Sequence, residues 1–303
     1  MAVERMRTPE RTRVAISGSN GQLGRRLQKL FKPELTLLID MHNCDITDNK
    51  KTSALLRSHA PEVIINCAAL TDVDGCERNP NLASAVNAYA TYNIAMAAKE
   101  LGARLIHVST DYVFDGTKGS AYTESDKACP INIYGMTKLE GELAVTRALD
   151  NYVIMRTAWL YGSGNNFVRK ILELAKTRER LKVVYDQHGS PTYAKDLAQA
   201  IAKIACTQIT GIFHCANEGG ASRLELAKEA IMRAGLNTVI MPVDSSAFPV
   251  PARRPSNTML DCSKLKSIGI RMRPWKEALS DYLNSFDSSL TAMSAQTDML
   301  QVR

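Results

Sequence analysis

A short apolar run that breaks into three evenly spaced glycines leaves a chain few ways to fold. Arg13-Val14-Ala15-Ile16-Ser17 is apolar and β-branched, as a strand buried on both faces would be. It runs directly into Gly18-Ser19-Asn20-Gly21-Gln22-Leu23-Gly24, after which Leu23, Leu27 and Leu30 recur at helical spacing. Strand, glycine turn and helix, in that order, open an α/β nucleotide-binding fold. The glycines let the backbone turn tightly and approach a ligand, and the helix start offers free N–H groups to a pyrophosphate. The turn residues Gly18, Asn20, Gly21, Gln22, Leu23 and Gly24 are therefore candidate cofactor contacts. The glycine spacing is three and three, not the two and three of the usual dinucleotide fingerprint, so the weight rests on the position after the first strand.

The rest of the chain continues the alternation. Leu35 to Ile39 predicts a second strand ending at Asp40. An acid about 20 residues past a glycine turn is placed to bind the ribose hydroxyls of an adenosine, and an ordinary turn acid fits as well. An acid there favours NAD over NADP, with His42 and Lys50 close enough to soften the preference. Asp45-Ile46 borders the expected adenine. Val63 to Ala69 predicts a strand leaving into small residues, and Ala68 and Ala69 would let a dinucleotide lie close; tight helix–sheet packing is the alternative. A helix from about Asn81 to Leu101 carries Asn87, whose amide must find partners.

Leu105 to Ser109 predicts the next strand, and ligands in such sheets bind beyond the carboxyl ends of strands. Ser109 and Thr110 sit there, and one of these hydroxyls could donate to a substrate carbonyl. His107, in mid-strand, reads as a core histidine. Further on, Tyr134-Gly135-Met136-Thr137-Lys138 places a phenol and an ammonium one helical turn apart on one face. A neighbouring cation lowers a phenol's pKa, which would make Tyr134 a general acid. Five residues alone fit a surface tyrosine above a solvated lysine equally well. Tyr152 to Thr157 predicts a sixth strand. After it the pattern loosens, with expected strands at Leu181–Tyr185, Gly211–Cys215 and Val239–Val243. Arg253 and Arg254 lie in a proline-stiffened loop and could grip a diphosphate or face solvent. The expected division is a flexible tail over 1–12, a nucleotide-binding core over 13–160, a mixed segment over 161–287 that completes the core and forms a substrate lobe, and a second tail over 288–303.

Bulk properties exclude several classes. The net charge of +7 is spread along the sequence, which argues for a solvated surface and against a nucleic-acid footprint. No apolar run is long enough to span a membrane, and Met1 to Thr12 lacks a signal-peptide core. Seven cysteines without a Cys-x-x-Cys pair point to a reducing, cytoplasmic setting and to no zinc site.

The glycine turn at Gly18, Gly21 and Gly24, the Thr110 hydroxyl and the Tyr134/Lys138 pair resemble an extended short-chain dehydrogenase/reductase. Longer segments narrow the likeness: Asn66 to Asp74, Ser109 to Gly116, Arg156 to Gly162 with Asn165-Asn166-Phe167, Asp186 to Thr192, and Arg254-Pro255-x-Asn257. Together they resemble the dTDP-4-dehydrorhamnose reductase family over about Val14 to Phe286. The resemblance implies a Rossmann-type doubly wound parallel sheet with a smaller α/β substrate-binding lobe. It implies reduction of the C4 ketone of dTDP-4-dehydro-L-rhamnose to dTDP-L-rhamnose by NADPH or NADH, or of another nucleotide-linked 4-keto-deoxysugar, with Thr110 on the carbonyl oxygen, Tyr134 as proton donor and Lys138 lowering the tyrosine pKa and holding the nicotinamide ribose. By the same likeness Gln22, Leu23, Asp40, Asp45, Ile46, Ala69, Leu70 and Thr71 would contact the cofactor. Asp111, Trp159, Asn166 and Arg254 would contact the sugar nucleotide. A homodimer is left open. Some members carry a glutamate for an intersubunit magnesium two residues past the last glycine; here Arg26 stands there, so no metal is expected.

Three alternatives share the fold. A sugar-nucleotide 4,6-dehydratase would place Asp-Glu after the threonine, but Asp111 is followed by Tyr112. An epimerase would reoxidise its intermediate on tightly held NAD, which the long motifs disfavour. A regulatory subunit like that of methionine adenosyltransferase would bind a partner without turnover; the intact Thr110, Tyr134 and Lys138 argue against it.

Overall fold

The computed structural model describes residues 8–285. Expectations for residues 1–7, for Phe286 and for 288–303 lie outside that range. Within it, residues 8–12 form a turn, and the Thr12 hydroxyl donates to the Thr8 carbonyl at 2.8 Å.

The first strand, β1 (Val14–Ser17), is wholly buried and pairs in parallel on both sides. After it come α1 (Gly24–Leu27), β2 (Thr36–Ile39), α2 (Asn49–His59) and β3 (Val63–Asn66). The short helices α3 (Val73–Arg78) and α4 (Pro80–Ser84) precede α5 (Ala90–Leu101), and β4 (Arg104–Thr110), α6 (Ile133–Ala148) and β5 (Tyr152–Thr157) complete the first half. The helix expected after the glycine turn is one turn of α-helix, and the one expected over 81–101 is interrupted. Residues Ala85–Tyr89 between α4 and α5 are π-helical. Such a bulge adds a residue to the helix and re-aims a side chain, here Asn87.

The second half contributes β6 (Leu160–Tyr161), α7 (Phe167–Ala175), β7 (Arg180–Val184), β8 (His188–Gly189), β9 (Thr192–Tyr193) and α8 (Ala194–Ala205). It continues with β10 (Gly211–His214), β11 (Ala221–Ser222), α9 (Arg223–Arg233), β12 (Val239–Val243), α10 (Ser263–Ser267) and a last helix, α11, over 275–285. Six strands form one parallel sheet in the order β2-β1-β3-β4-β5-β10. The order reverses between β1 and β3, and a crevice opens at the carboxyl ends of strands at such a point. The strand expected over 211–215 joins the main sheet: β10 lies in parallel against β5.

Two apolar layers sandwich the sheet. On one face Leu23, Leu27 and Phe31 pack with Leu197, Ile201 and Ile204 of α8. On the other, Leu56 of α2, Ile94 of α5 and Val145 of α6 pack against Ile64, Leu105 and Ile154. The strands are apolar on both faces because both faces are covered. A smaller lobe is built where β7 and β12 pair in parallel beside α7 and α9. Among the described residues no helix is long and apolar enough to cross a membrane.

Candidate active site

The crevice is a cavity of about 640 Å³ running from the glycine turn to the start of the lobe. Gly18 shows why its first wall must be glycine. Its φ is +67°, and a Cβ there would meet the backbone of Ala68 at 2.8 Å. Gly21, Gln22, Leu23 and Gly24 line the same end, and Asp40, Asp45 and Ile46 line the far side. The Asp40 carboxylate accepts from the backbone N–H of Asn20 at 2.8 Å and from that of Met41 at 2.9 Å. It is thereby fixed at the tip of β2, where an adenosine ribose would lie. Asn20 itself does not line the cavity; its contribution is the amide that holds Asp40.

Ala68, Ala69 and Thr71 line the middle of the cavity, but Leu70 does not. The π-helical Asn87 explains the difference. Its Oδ1 accepts from the Leu70 N–H at 2.8 Å, and its Nδ2 donates to the Leu70 carbonyl at 3.2 Å and to Thr137 Oγ1 at 3.1 Å. Asn87 thus pins the loop after β3 to α6 with a fully partnered buried amide. The side chain expected in sequence to hold a water or pack in the core acts as a clamp between two walls of the site.

Helix α6 carries the candidate tyrosine and lysine. Asn132 caps it by accepting from the Gly135 N–H at 2.8 Å, while its Nδ2 donates to the Arg253 carbonyl at 2.9 Å. Tyr134 and Lys138 both line the cavity, together with Thr110 and Asp111 from the end of β4. The Thr110 hydroxyl donates to Asp111 Oδ1 at 3.0 Å and stands close enough to the Tyr134 phenol to favour its ionised form. The structure also separates Thr110 from its neighbour: Ser109 Oγ is committed to Glu142 at 2.5 Å. Glu142 in turn holds Arg156 in a buried ion pair, Nη2 to Oε2 2.7 Å. Of the two strand-end hydroxyls, Ser109 is spent on Glu142, and Thr110 is the one felt at the tyrosine.

The expected acidification of Tyr134 is not what the structure shows. Removal from water pushes its pKa up, Thr110 offsets part of this, and Asp111 and Tyr112 push it further up. Lys138 is directed elsewhere: its Nζ donates to the Val108 carbonyl at 2.7 Å and lies 3.3 Å from His107 Nε2. Burial draws the Lys138 pKa down to about 8 against the attraction of Glu142. His107 is buried, and burial followed by the Lys138 charge holds it neutral. It is a core histidine, as expected, but one that touches the site lysine. Tyr134 is therefore a fully protonated phenol at neutral pH. Asp111 is pushed up to about 6 by burial, opposed by hydrogen bonds from Thr258 and Thr110.

Two expected substrate contacts stand outside the cavity. Asn166 caps α7, accepting from the Arg169 N–H at 3.0 Å and donating to the Gly162 carbonyl at 2.9 Å. Its amide is spent on the helix start. Arg254 is paired with Asp74 at 2.8 Å and donates to the Ala252 carbonyl at 3.0 Å. Trp159 does line the cavity, with φ at +44°, a left-handed conformation rare for a bulky residue. Arg26 packs away from the cavity, its guanidinium 5.6 Å from the centre of the Tyr193 ring. Among the lining residues not singled out in the sequence are Tyr112 and Arg223. Tyr112 was legible only as part of the Ser109–Gly116 segment; Arg223 carried no signal, being one basic residue at a helix start.

The sequence model of the family described as RmlD substrate binding domain matches residues 12–288. This chain belongs to that family. It is 40% identical over 280 residues to a dTDP-4-dehydrorhamnose reductase of Sinorhizobium fredii, covering 88% of this chain and 95% of the relative. It is similar in structure to a dTDP-4-dehydrorhamnose reductase of Clostridium acetobutylicum, with a TM-score of 0.87 and 40% identity over 90% of this chain and 99% of the other. It is also similar to a dTDP-4-dehydrorhamnose reductase of Bacillus anthracis in complex with NADP, with a TM-score of 0.88 and 38% identity over the same shares, 90% and 99%. The expected Rossmann-type parallel sheet of the short-chain reductases is thus the observed one.

Proposed function

We propose that this protein reduces the C4 ketone of dTDP-4-dehydro-L-rhamnose to give dTDP-L-rhamnose, using NADPH or NADH. The observation that carries the reading is that Thr110 and Tyr134 share one cavity with Lys138, the Gly18 turn and Asp40. The residues fit a dinucleotide: a glycine turn whose backbone is open to a pyrophosphate, an acid fixed for a ribose, and small residues between them. The relatives named above carry this activity in their names, and one is bound to NADP.

A reduced nicotinamide, when bound, supplies the hydride. The chain's own groups do the rest. Thr110 Oγ1 donates to the carbonyl oxygen and holds it beside Tyr134; a donor aimed at developing negative charge stabilises it more than the neutral ketone. The Tyr134 phenol then gives its proton to that oxygen. Its raised pKa is no obstacle, because an alkoxide is a stronger base than a phenolate and the phenol enters the step fully protonated. The Lys138 ammonium adds positive charge on the same helix face, which favours the phenolate left behind. Asp111, Trp159 and the lobe hold the sugar.

Assay of purified protein with dTDP-, UDP- and GDP-linked 4-keto sugars, following the loss of reduced nicotinamide, tests this reading. Oxidation of NADPH or NADH only when the dTDP-linked sugar is present is the expected result. No turnover with any of them would sink it. Tyr134→Phe should lower kcat by about 10²- to 10⁴-fold while leaving the NADPH dissociation constant unchanged.

A further inference from the structure

Arg223 is the one cation lining the cavity that the chemistry above leaves unused. It opens α9, and its place is set by the backbone on either side. Its N–H donates to the Gln187 carbonyl at 3.0 Å, and β11 pairs antiparallel with β8. The helix start is locked by a reciprocal cap: Glu225 N–H to Ser222 Oγ at 3.1 Å and Ser222 N–H to Glu225 Oε2 at 2.6 Å. The guanidinium lies on aromatic faces, 3.7 Å from the centre of the Trp159 ring and 4.7 Å from that of Phe167. Among the described residues it forms no ion pair; the Tyr112 phenol and the Asp111 charge are the groups felt at it.

The supporting structure keeps this arrangement open. Trp159 is held in its left-handed conformation under the arginine. Gly189 leaves room for the indole: a Cβ there would lie 2.6 Å from Trp159 Nε1. Aromatic rings hold a guanidinium by its face and leave its edge, with five N–H donors, free for an acceptor. Arg223 lines the cavity, and the edge of a guanidinium matches two oxygens of a phosphate.

Position along the cavity supplies the rest. The Tyr112 ring stands edge-on to Tyr134, with centroids 5.8 Å apart. The charges of Arg223 and Arg254 are both felt at Tyr112. One sugar ring separates a C4 carbonyl from the phosphate on C1, and Tyr112 links Tyr134, against its ring, to the arginines, whose charge reaches it. We infer that Arg223, braced on Trp159, binds the diphosphate of the nucleotide-sugar substrate and so sets how far the sugar reaches toward Tyr134. This rests on the reading of the protein as a nucleotide-sugar reductase and adds the residue that recognises the phosphates.

Calorimetric titration of the NADP-saturated protein with dTDP and with thymidine tests it. The wild type should bind dTDP more tightly than thymidine. Arg223→Met, which keeps the stem and deletes the fork, should weaken dTDP by about 10- to 100-fold, the range for hydrogen bonds to charged groups. Thymidine and NADPH should change by less than about threefold, and Arg223→Lys should fall between, since it restores charge without the fork. Should the Met variant not fold, Arg223→Gln replaces it. A variant that keeps the full preference for dTDP over thymidine would overturn the assignment and leave the reductase reading intact. Parallel loss of both ligands would also overturn it, since Arg223 would then only prop Trp159. A wild type that prefers none of dTDP, UDP or GDP to its nucleoside would remove the nucleotide-sugar reading itself.

Discussion

Asp111 shows how one buried residue can make stability depend on pH. Its folded-state pKa is raised from 3.8 to about 6, chiefly by burial. The folded protein then binds a proton more tightly than the unfolded chain. The contribution is fully present below about pH 4, is lost as pH rises through about 6, and amounts to about 3 kcal/mol at most. Asp111→Asn cannot ionise, so its stability should fall less than that of the wild type between pH 4 and pH 7. Urea unfolding at several pH values reads this directly. Parallel curves for the two proteins would show that Asp111 is as free to ionise when folded as when unfolded. Tyr134 carries the opposite lesson for sequence reading. The i, i+4 spacing placed Lys138 on its face, yet the Lys138 Nζ donates to Val108 and approaches His107. Spacing along a helix says which residues share a face; it does not say which acceptor an ammonium will choose.

At the scale of elements, α6 does two jobs along one stripe. Tyr134 and Lys138 face the cavity, and one turn further Glu142 accepts from Ser109 and pairs with Arg156 of β5. That pair is almost sealed, with side chains 4% and 2% exposed for Arg156 and Glu142. Removing one partner of such a pair strands the other charge, at about 3–5 kcal/mol. Glu142→Gln should therefore lower the unfolding free energy by an amount of that order and free the Ser109 hydroxyl. A urea midpoint within error of the wild type would mean that α6 is held on the sheet without this pair. The π-helical stretch at Ala85–Tyr89 is a second such device, since only the extra residue turns Asn87 onto the Leu70 backbone.

For the whole molecule, the division of the chain at about residue 160 does not coincide with the division of the fold. The sixth strand of the main sheet, β10, and the helix that covers one face, α8, both come from the second half. Without them β5 would be a bare edge, and Val14, Ile16 and Ile65 would lose the Leu197 and Ile201 side of their layer. An exposed apolar sheet face and an unpaired edge are aggregation surfaces. We propose that residues 13–160 are not an autonomous domain. A fragment ending at 160 should be insoluble or lack a cooperative thermal transition. A soluble fragment with a sharp transition would show that the first half closes its own core.

What the sequence determined by itself was the local and the periodic. The strand–glycine–helix start, the parallel strands with their unbroken apolar runs, and the Tyr134/Lys138 register all follow from chain geometry over a few residues. The strands over 211–215 and 181–185 followed less directly, and the partner of 181–185 did not follow at all. Tertiary structure alone decided which groups meet. It gave Thr110 rather than Ser109 to Tyr134, turned Asn166 into a cap, tied Arg254 to Asp74 and laid Arg223 on Trp159. The physical reason is that hydrogen bonds and ion pairs are won in competition. Each donor goes to the acceptor the fold brings nearest, and those acceptors lie tens of residues away in the chain.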